Sequence, residues 1–329
     1  MSAPVIESVE MRRFRGIRAC KEPIRLSRFT VLIGRNNAGK TSVLEALSLL
    51  PVRSIDEVRF SPVRWTMKQF MDFLHGGIYS LVYGYVGKAI INYVVRGKEI
   101  TWEYEAGGTQ GKLSLPREEL AELLSIESEK GWEALSSILL LPNDTRFLIE
   151  LANSLGRKTE WRKVEESGAN TSIVRLIDKV VNDHFTEASV HFDSIVLRKV
   201  IDKEGPYERI RHIEVSDLGD GVERVLLFGL WLETYRPKVV LWDDIEASAH
   251  PGLVEAVLEW LASRDWQVVL TTHSLDVLDR LVAIEPEGAS VVVLKKRPDD
   301  VLEPRTLSLE ELREKLESHV DVRREVDIL

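Results

Sequence analysis

The chain has 329 residues, 44% of them apolar, a formal net charge of −9 and a single cysteine. This is enough apolar material for one large or two modest cores. The lone Cys20 excludes an internal disulfide and a cysteine-based zinc site, and the negative charge excludes nucleic-acid binding except through a local basic patch. No apolar run approaches the roughly 20 residues of a spanning helix and no signal-peptide core opens the chain, so the expectation is a soluble cytoplasmic protein with no membrane association.

In chain order, VIESVEMRRF and KEPIRLSRF alternate loosely and predict two strands. Between Arg12 and Lys40 nine Lys and Arg face one acid, Glu22. Arg12, Arg13 and Arg15 form a candidate DNA patch, weighed against plain solvated arginines on edge strands. TVLIG at 30–34 is a continuous apolar run suited to a central strand, and TSVLEALSLL carries apolar residues at helical spacing until Pro51. IYSLVYGYV, KAIINYVV and EITWEYE predict a separate three-stranded meander within 61–116, and 117–187 reads as a helical insertion that includes GWEALSSILL. Strands resume at HFDSIVLRKV and YERIRHIEV with an EGP turn between them. A helix then follows from Val222 to about Tyr235, with strand KVVLW, a helix over 252–263, strand WQVVLTT, a helix from Ser274, and strand SVVVLKK. That alternation predicts an α/β core with a mostly parallel sheet, made of residues 1–60 and 188–329. SLEE at Ser308 is a capping box opening a last helix.

Four constellations carry chemistry. GRNNAGKT matches G-x-x-x-x-G-K-[ST], and it stands between a strand and a helix as a P-loop must. Its residues Gly34, Arg35, Asn36, Asn37, Ala38, Gly39, Lys40 and Thr41, with Ser42 following, are expected to wrap the phosphates of ATP. Lys40 would reach the β- and γ-phosphates and the Thr41 hydroxyl would ligate Mg²⁺. VVLWDD ends a strand with two acids, Asp243 for the metal on a neighbouring strand and Asp244 to orient the attacking water. The alternative is a pair of helix-capping acids. LTTHS places His273 at another strand end, facing the ligand crevice of a parallel sheet. SDLGDG, with Ser216, Gly219, Asp220 and Gly221, precedes a helix and is a second anion site, one that could serve a partner's nucleotide.

The ordered set MRRFRGI, VLIGRNNAGKTSVLEAL, LGDGVERVL, VLWDDIEASAHP and VVLTTHSLDVL resembles the ABC-type ATPases of the SMC, RecF and overcoming-lysogenization-defect (OLD) group, over about two fifths of the chain. The resemblance implies a P-loop NTPase with ABC-ATPase head architecture, an antiparallel β subdomain and a helical insertion. It also implies an ATP-dependent homodimer in which the Ser216–Gly221 signature turn meets the partner's γ-phosphate and His273 is the switch histidine. Asp243, Ile245, Glu246, His250 and Pro251 fit the family's D-E-[PI]-E and H-P pattern, whereas Asp244 stands where the family has a catalytic glutamate. Aspartate is about 1.5 Å shorter, and a misplacement of about 1 Å can cost on the order of 10²-fold, so slow turnover is expected. Gln69 and His75 are candidates for the family's magnesium-contacting glutamine. About 55 residues follow His273, too few for the Toprim nuclease sheet of OLD proteins, so a nuclease or other effector would act in trans. Two functions follow: an ATPase coupled to a partner in DNA repair or phage defence, or a nucleotide-gated switch with little turnover. A P-loop kinase using 61–187 as a substrate lid is the third reading, and no N-K-x-D motif supports a GTPase.

Overall fold

The computed structural model describes residues 3–56, 58–60, 62–108, 110–126, 137–181, 183–204 and 207–323. Chain order is β1 (Ile6–Phe14), β2 (Ile17–Cys20), β3 (Ile24–Arg25), β4 (Phe29–Gly34), α1 (Lys40–Leu49), β5 (Val58–Phe60), β6 (Trp65–Thr66), α2 (Met67–His75), β7 (Lys88–Val95), β8 (Lys98–Glu105), β9 (Gly111–Leu113), α3 (Arg117–Leu123) and β10 (Ile138–Leu141). It continues through α4 (Thr145–Leu155), α5 (Lys158–Ser167), α6 (Ala169–Val181), β11 (Phe185–His191), β12 (Ser194–Glu204), β13 (Tyr207–Glu214) and α7 (Asp220–Tyr235). The last elements are β14 (Val239–Trp242), α8 (Pro251–Ala262), β15 (Gln267–Thr271), α9 (Leu275–Ile284), β16 (Ala289–Lys296), β17 (Val301–Ser308) and α10 (Leu309–Glu317). These form two compact units, residues 1–142, 237–245 and 264–329 in the first, and 143–236 and 246–263 in the second.

The first unit is built on a sheet ordered β10-β14-β15-β4-β16-β17-β2-β1-β7-β8-β9, with β3 beside β1. The five strands β10, β14, β15, β4 and β16 are parallel, and β4, β14 and β15 are buried at every position, which is why they read as unbroken apolar runs. The one amide in that set, Gln267, is satisfied on both sides: its Oε1 accepts from Ile6 N at 2.8 Å and its Nε2 donates to Ile6 O at 2.7 Å and Ser27 O at 3.1 Å. Burial without these bonds would cost about 1–3 kcal/mol. Cys20, the end residue of β2, is buried, and burial pushes its thiol up to about 11.

Three expectations are corrected in this unit. IYSLVYGYV is not a strand: Ile78–Leu81 and Tyr83–Tyr85 are 3₁₀ turns, because Gly77, Gly84 and Gly87 and even Tyr85 take positive φ. The β7–β8 ribbon is not a separate sheet either, since Ile6 to Arg12 of β1 pair with Val95 to Ile90 of β7. Ile138–Leu141, read as the end of a helix, is strand β10 paired in parallel with β14; the preceding GWEALS lies outside the described residues. A four-residue apolar run carries no period, so helix and strand read alike there.

The second unit packs α4 to α8 with a three-stranded antiparallel sheet, β11-β12-β13. HFDSIVLRKV is a hairpin rather than one strand, because Phe192 and Asp193 both take positive φ and turn the chain between β11 and β12. The glycine and proline of the expected EGP turn lie outside the described residues. Helix α7 is buried from Arg224 to Glu233, and its Gly229 lets α6 approach: a Cβ there would stand 2.8 Å from Ile173 Cγ2. Among the described residues no helix is long and apolar enough to cross a membrane.

Candidate functional site

The parallel register of β14, β15 and β4 ends these strands level with one another, so the segments leaving them converge. Asp243 follows β14, which is not the immediate neighbour of β4 as expected but the next strand out, with β15 between them. The gap is bridged by side chains. Thr41 Oγ1 donates at 3.1 and 3.2 Å to the two oxygens of Asp243, and Thr271 Oγ1 of the intervening strand donates to Asp243 Oδ1 at 2.8 Å.

The loop between β4 and α1 is shaped by Asn37 and Gly39, both at positive φ, and Gly39 caps α1 without a side-chain hydrogen bond. The first N–H groups of α1 therefore lack the oxygen that a serine or aspartate cap would supply, and they face an anion-ready position at the positive end of the helix dipole. Lys40 is 6% exposed, its Nζ curled back to the carbonyls of Gly34 at 3.1 Å and Arg35 at 3.3 Å.

A cavity of about 280 Å³ is lined by residues 36–42, Asp244 and His273. Asp244 is held in the left-handed region (φ 46) with its N–H donated to Thr271 Oγ1 at 2.8 Å, and its Oδ1 lies 3.7 Å from His273 Nε2. Such a conformation is uncommon for aspartate and aims the carboxylate into the cavity at a cost of order 1–3 kcal/mol. Asp243 is nearly buried. Burial first and the charge of Asp244 second push its carboxyl up to about 6, against the lowering hydrogen bonds from Thr271 and Thr41. A desolvated carboxylate beside a hydroxyl is a pair that could hold a hard divalent cation.

Sequence reasoning missed Thr271 and Glu45 beside this cavity. Thr271 ties Asp243 and Asp244 together, and its signal was only a hydroxyl at the end of an apolar strand. Glu45 stands one helical turn beyond Thr41, is 0% exposed, and is gripped by Arg15, with Nε 2.7 Å from Oε2 and Nη2 donating to Oε1 at 3.1 Å. His75 Nε2 also contacts Glu45 Oε1. Arg15 is thereby a half-buried counter-ion committed to Glu45 and not part of an exposed basic patch, whereas Arg12 and Arg13 remain at the surface, bonded to Glu10 and to the carbonyl of Val86. Gln69 accepts from Thr66 N at 2.8 Å in the capping box of α2, which commits its amide to that helix end.

Ser216, Gly219, Asp220 and Gly221 belong to the second unit, at the N-terminus of α7. The two glycines differ. Gly219, the N-cap, has open space where a Cβ would be, while a Cβ on Gly221 would collide with the Ser248 carbonyl and stand 2.8 Å from Ala249 Cα. Gly221 is thus required by backbone packing.

Residues 5–92 match the family model described as AAA ATPase domain, and residues 171–279 match AAA domain, putative AbiEii toxin, Type IV TA system. No curated protein matches the chain at a significant level. Among solved structures, a crystallised Smc head bound to the C-winged helix domain of ScpA superposes with a TM-score of 0.58 at 14% identity, covering 94% of this chain and 100% of that one. The SMC head domain from Thermotoga maritima gives 0.52 at 16% identity over 92% and 99%. The recombination mediator protein RecF with ATP gives 0.51 at 13% over 93% and 99%. At such identities the likeness is one of fold, and the ATPase assignment comes from the two family matches.

Proposed function

We infer that this chain, an ATPase of the AAA type folded like the SMC and RecF heads, works as an ATP-dependent dimerising head that passes its nucleotide state to a partner. The observation that carries the reading is the convergence of Lys40, Thr41, Asp244 and His273 on one cavity beside a helix N-terminus without a side-chain cap, with Asp243 hydrogen-bonded to Thr41 behind it. In this reading the N–H groups of residues 36–41 and the Lys40 ammonium hold the phosphates, and Thr41 and Asp243 hold Mg²⁺. The ion, when bound, neutralises charge on the β- and γ-phosphates. Asp244 accepts a hydrogen bond from the attacking water and takes its proton, and His273 faces the terminal phosphate.

The signature turn would act on the nucleotide of a second copy. Open space at Gly219 supports contact there, and Gly221 serves packing. Light scattering with Mg²⁺ and a slowly hydrolysed ATP analogue tests this: the mass should double, and a monomer at saturating nucleotide would sink the reading. DNA repair or phage defence, with a nuclease or other effector in trans, and DNA contact at Arg12 and Arg13 belong to the same proposal and rest on family likeness and surface charge.

A nucleotide-gated switch with little turnover is favoured by one observation, the short carboxylate of Asp244 fixed in a left-handed backbone by Thr271. Steady-state ATPase of Asp244→Glu and Asp244→Asn separates the two. A working Asp244 predicts a fall of about 10²-fold or more with asparagine. A switch predicts a gain with glutamate and little change with asparagine.

The raised Asp243 also predicts a pH dependence. Between the ordinary aspartate value of 3.8 and about 6 the folded chain holds a proton that the unfolded chain has released, so this group's contribution to stability falls as pH rises through that window. Binding a cation at Asp243 expels the proton. The rise in Tm caused by Mg·ATP should therefore be larger at pH 7.5 than at pH 5.5, with most of the difference gone in Asp243→Asn. An equal pH dependence in that variant would remove Asp243 from the metal site.

A further inference from the structure

His273 stands in a short irregular link between β15 and α9. Its flanks are tied down, with Thr272 N donating to Leu32 O at 3.2 Å and Ser274 N to Thr272 Oγ1 at 3.0 Å. The carbonyl oxygen of His273 itself accepts from Arg323 Nη1 at 2.7 Å, a residue 50 positions away. That guanidinium is aimed by a fork: its Nε lies 2.8 Å from Asp321 Oδ1 and its Nη2 lies 2.9 Å from Asp321 Oδ2, and Arg323 N donates to the same Oδ1 at 3.1 Å. Between the two, Val322 is 0% exposed.

The division of labour is physical. Val322 anchors the segment in the core, Asp321 freezes the rotamer of Arg323, and the planar, permanently charged guanidinium delivers a charge-assisted hydrogen bond to one peptide. That peptide joins His273 to Ser274, the N-cap of α9, so fixing it fixes ψ of His273 and the direction in which the imidazole leaves the chain. Arg323 also lines a second cavity, of about 230 Å³, with Arg35, Asn36, Asn37 and Ala38, so the clip lies between the histidine link and the P-loop.

We propose that Arg323, aimed by Asp321, is a positioning residue that holds His273 in register with the nucleotide cavity. This rests on the reading of His273 as the group facing the terminal phosphate. Displacing residues 321–323 would then slow turnover without touching the phosphate-binding loop, which makes this segment a place where an interacting molecule can act on the ATPase.

The test combines two readouts on the full chain. Hydrogen exchange of the 272–276 amides should speed up in Arg323→Ala and less in Arg323→Lys, with the P-loop peptides unchanged. The same variants should lose kcat, about 10-fold for alanine with partial rescue by lysine, while KM stays within about 2-fold. In a His273→Ala background, Arg323→Ala should cost nothing further. Unchanged exchange at 272–276 overturns the clip whatever the kinetics show. Additive losses in the double variant overturn its action through His273. Faster exchange with wild-type turnover in His273→Ala leaves the clip standing and removes the phosphate role of the histidine. Asp321→Ala, which keeps Arg323 but frees its fork, should reproduce the alanine phenotype in part, and wild-type behaviour there overturns the aiming role.

Discussion

Replacing Lys40 with alanine is expected to lower kcat/KM for ATP by about 10²–10³-fold while leaving the fold intact. The ammonium is already nearly buried and bent over the loop onto the Gly34 and Arg35 carbonyls, so in the reading proposed here little reorganisation remains to be made when phosphates arrive. A charge placed beforehand in a partly desolvated cavity is worth more than the same charge swinging in from water. Truncation deletes that charge and leaves the two carbonyls beside an open cavity where water can reach them, which is why the expected change in Tm is small. ATP turnover, equilibrium dialysis with nucleotide and a thermal melt on one preparation check the three parts. Retention of more than about a tenth of the wild-type kcat/KM would mean that the lysine is structural and that the phosphates lie elsewhere.

The second large effect is on stability. Arg15→Met should destabilise the first unit by about 3–5 kcal/mol, because it leaves the fully buried Glu45 without its guanidinium partner. His75 remains as a contact but is a weaker counter-ion, being charged only when protonated. The pair need not be stabilising in itself. Removing both charges, as Arg15→Met with Glu45→Met, should recover most of the loss, since an apolar pair of similar volume avoids the desolvation of two ions. Urea denaturation of the two variants and wild type measures this through the shift in midpoint at constant slope. A full-sized loss in the double variant would show that the ion pair, and not merely its neutrality, holds the unit together.

The comparison of sequence with structure divides along the range of the interactions involved. The strand–loop–helix from Phe29 to Leu49 was legible because all its signals are local: an unbroken apolar run, glycines at the turn, a helical period and a closing proline. The placement of Asp243, Asp244 and His273 just beyond the ends of β14 and β15 was legible because a parallel sheet delivers strand ends to one edge. What failed was non-local. Arg15 reads as one more surface arginine until Glu45, 30 residues on, is brought against it. The β7–β8 ribbon reads as its own sheet until β1 pairs with it, and nothing within KAIINYVV announces that partner. Gly221 and Gly219 look alike in SDLGDG, and only the Ser248–Ala249 backbone distinguishes them. Arg323 carried no signal at all, since one hydrogen bond to a distant carbonyl leaves no pattern in composition or period.

The buried Cys20 has a practical consequence. Its thiol is shielded and its ionisation is pushed up to about 11, so at neutral pH almost none of it is the reactive thiolate. As the chain's one cysteine it leaves the native protein chemically silent toward maleimide dyes. A cysteine introduced at an exposed site such as Phe192, whose side chain is fully solvent-exposed, would then be the single labelled position on the natural background. Fluorescence transfer between donor- and acceptor-labelled copies could follow association in real time as nucleotide is added and consumed.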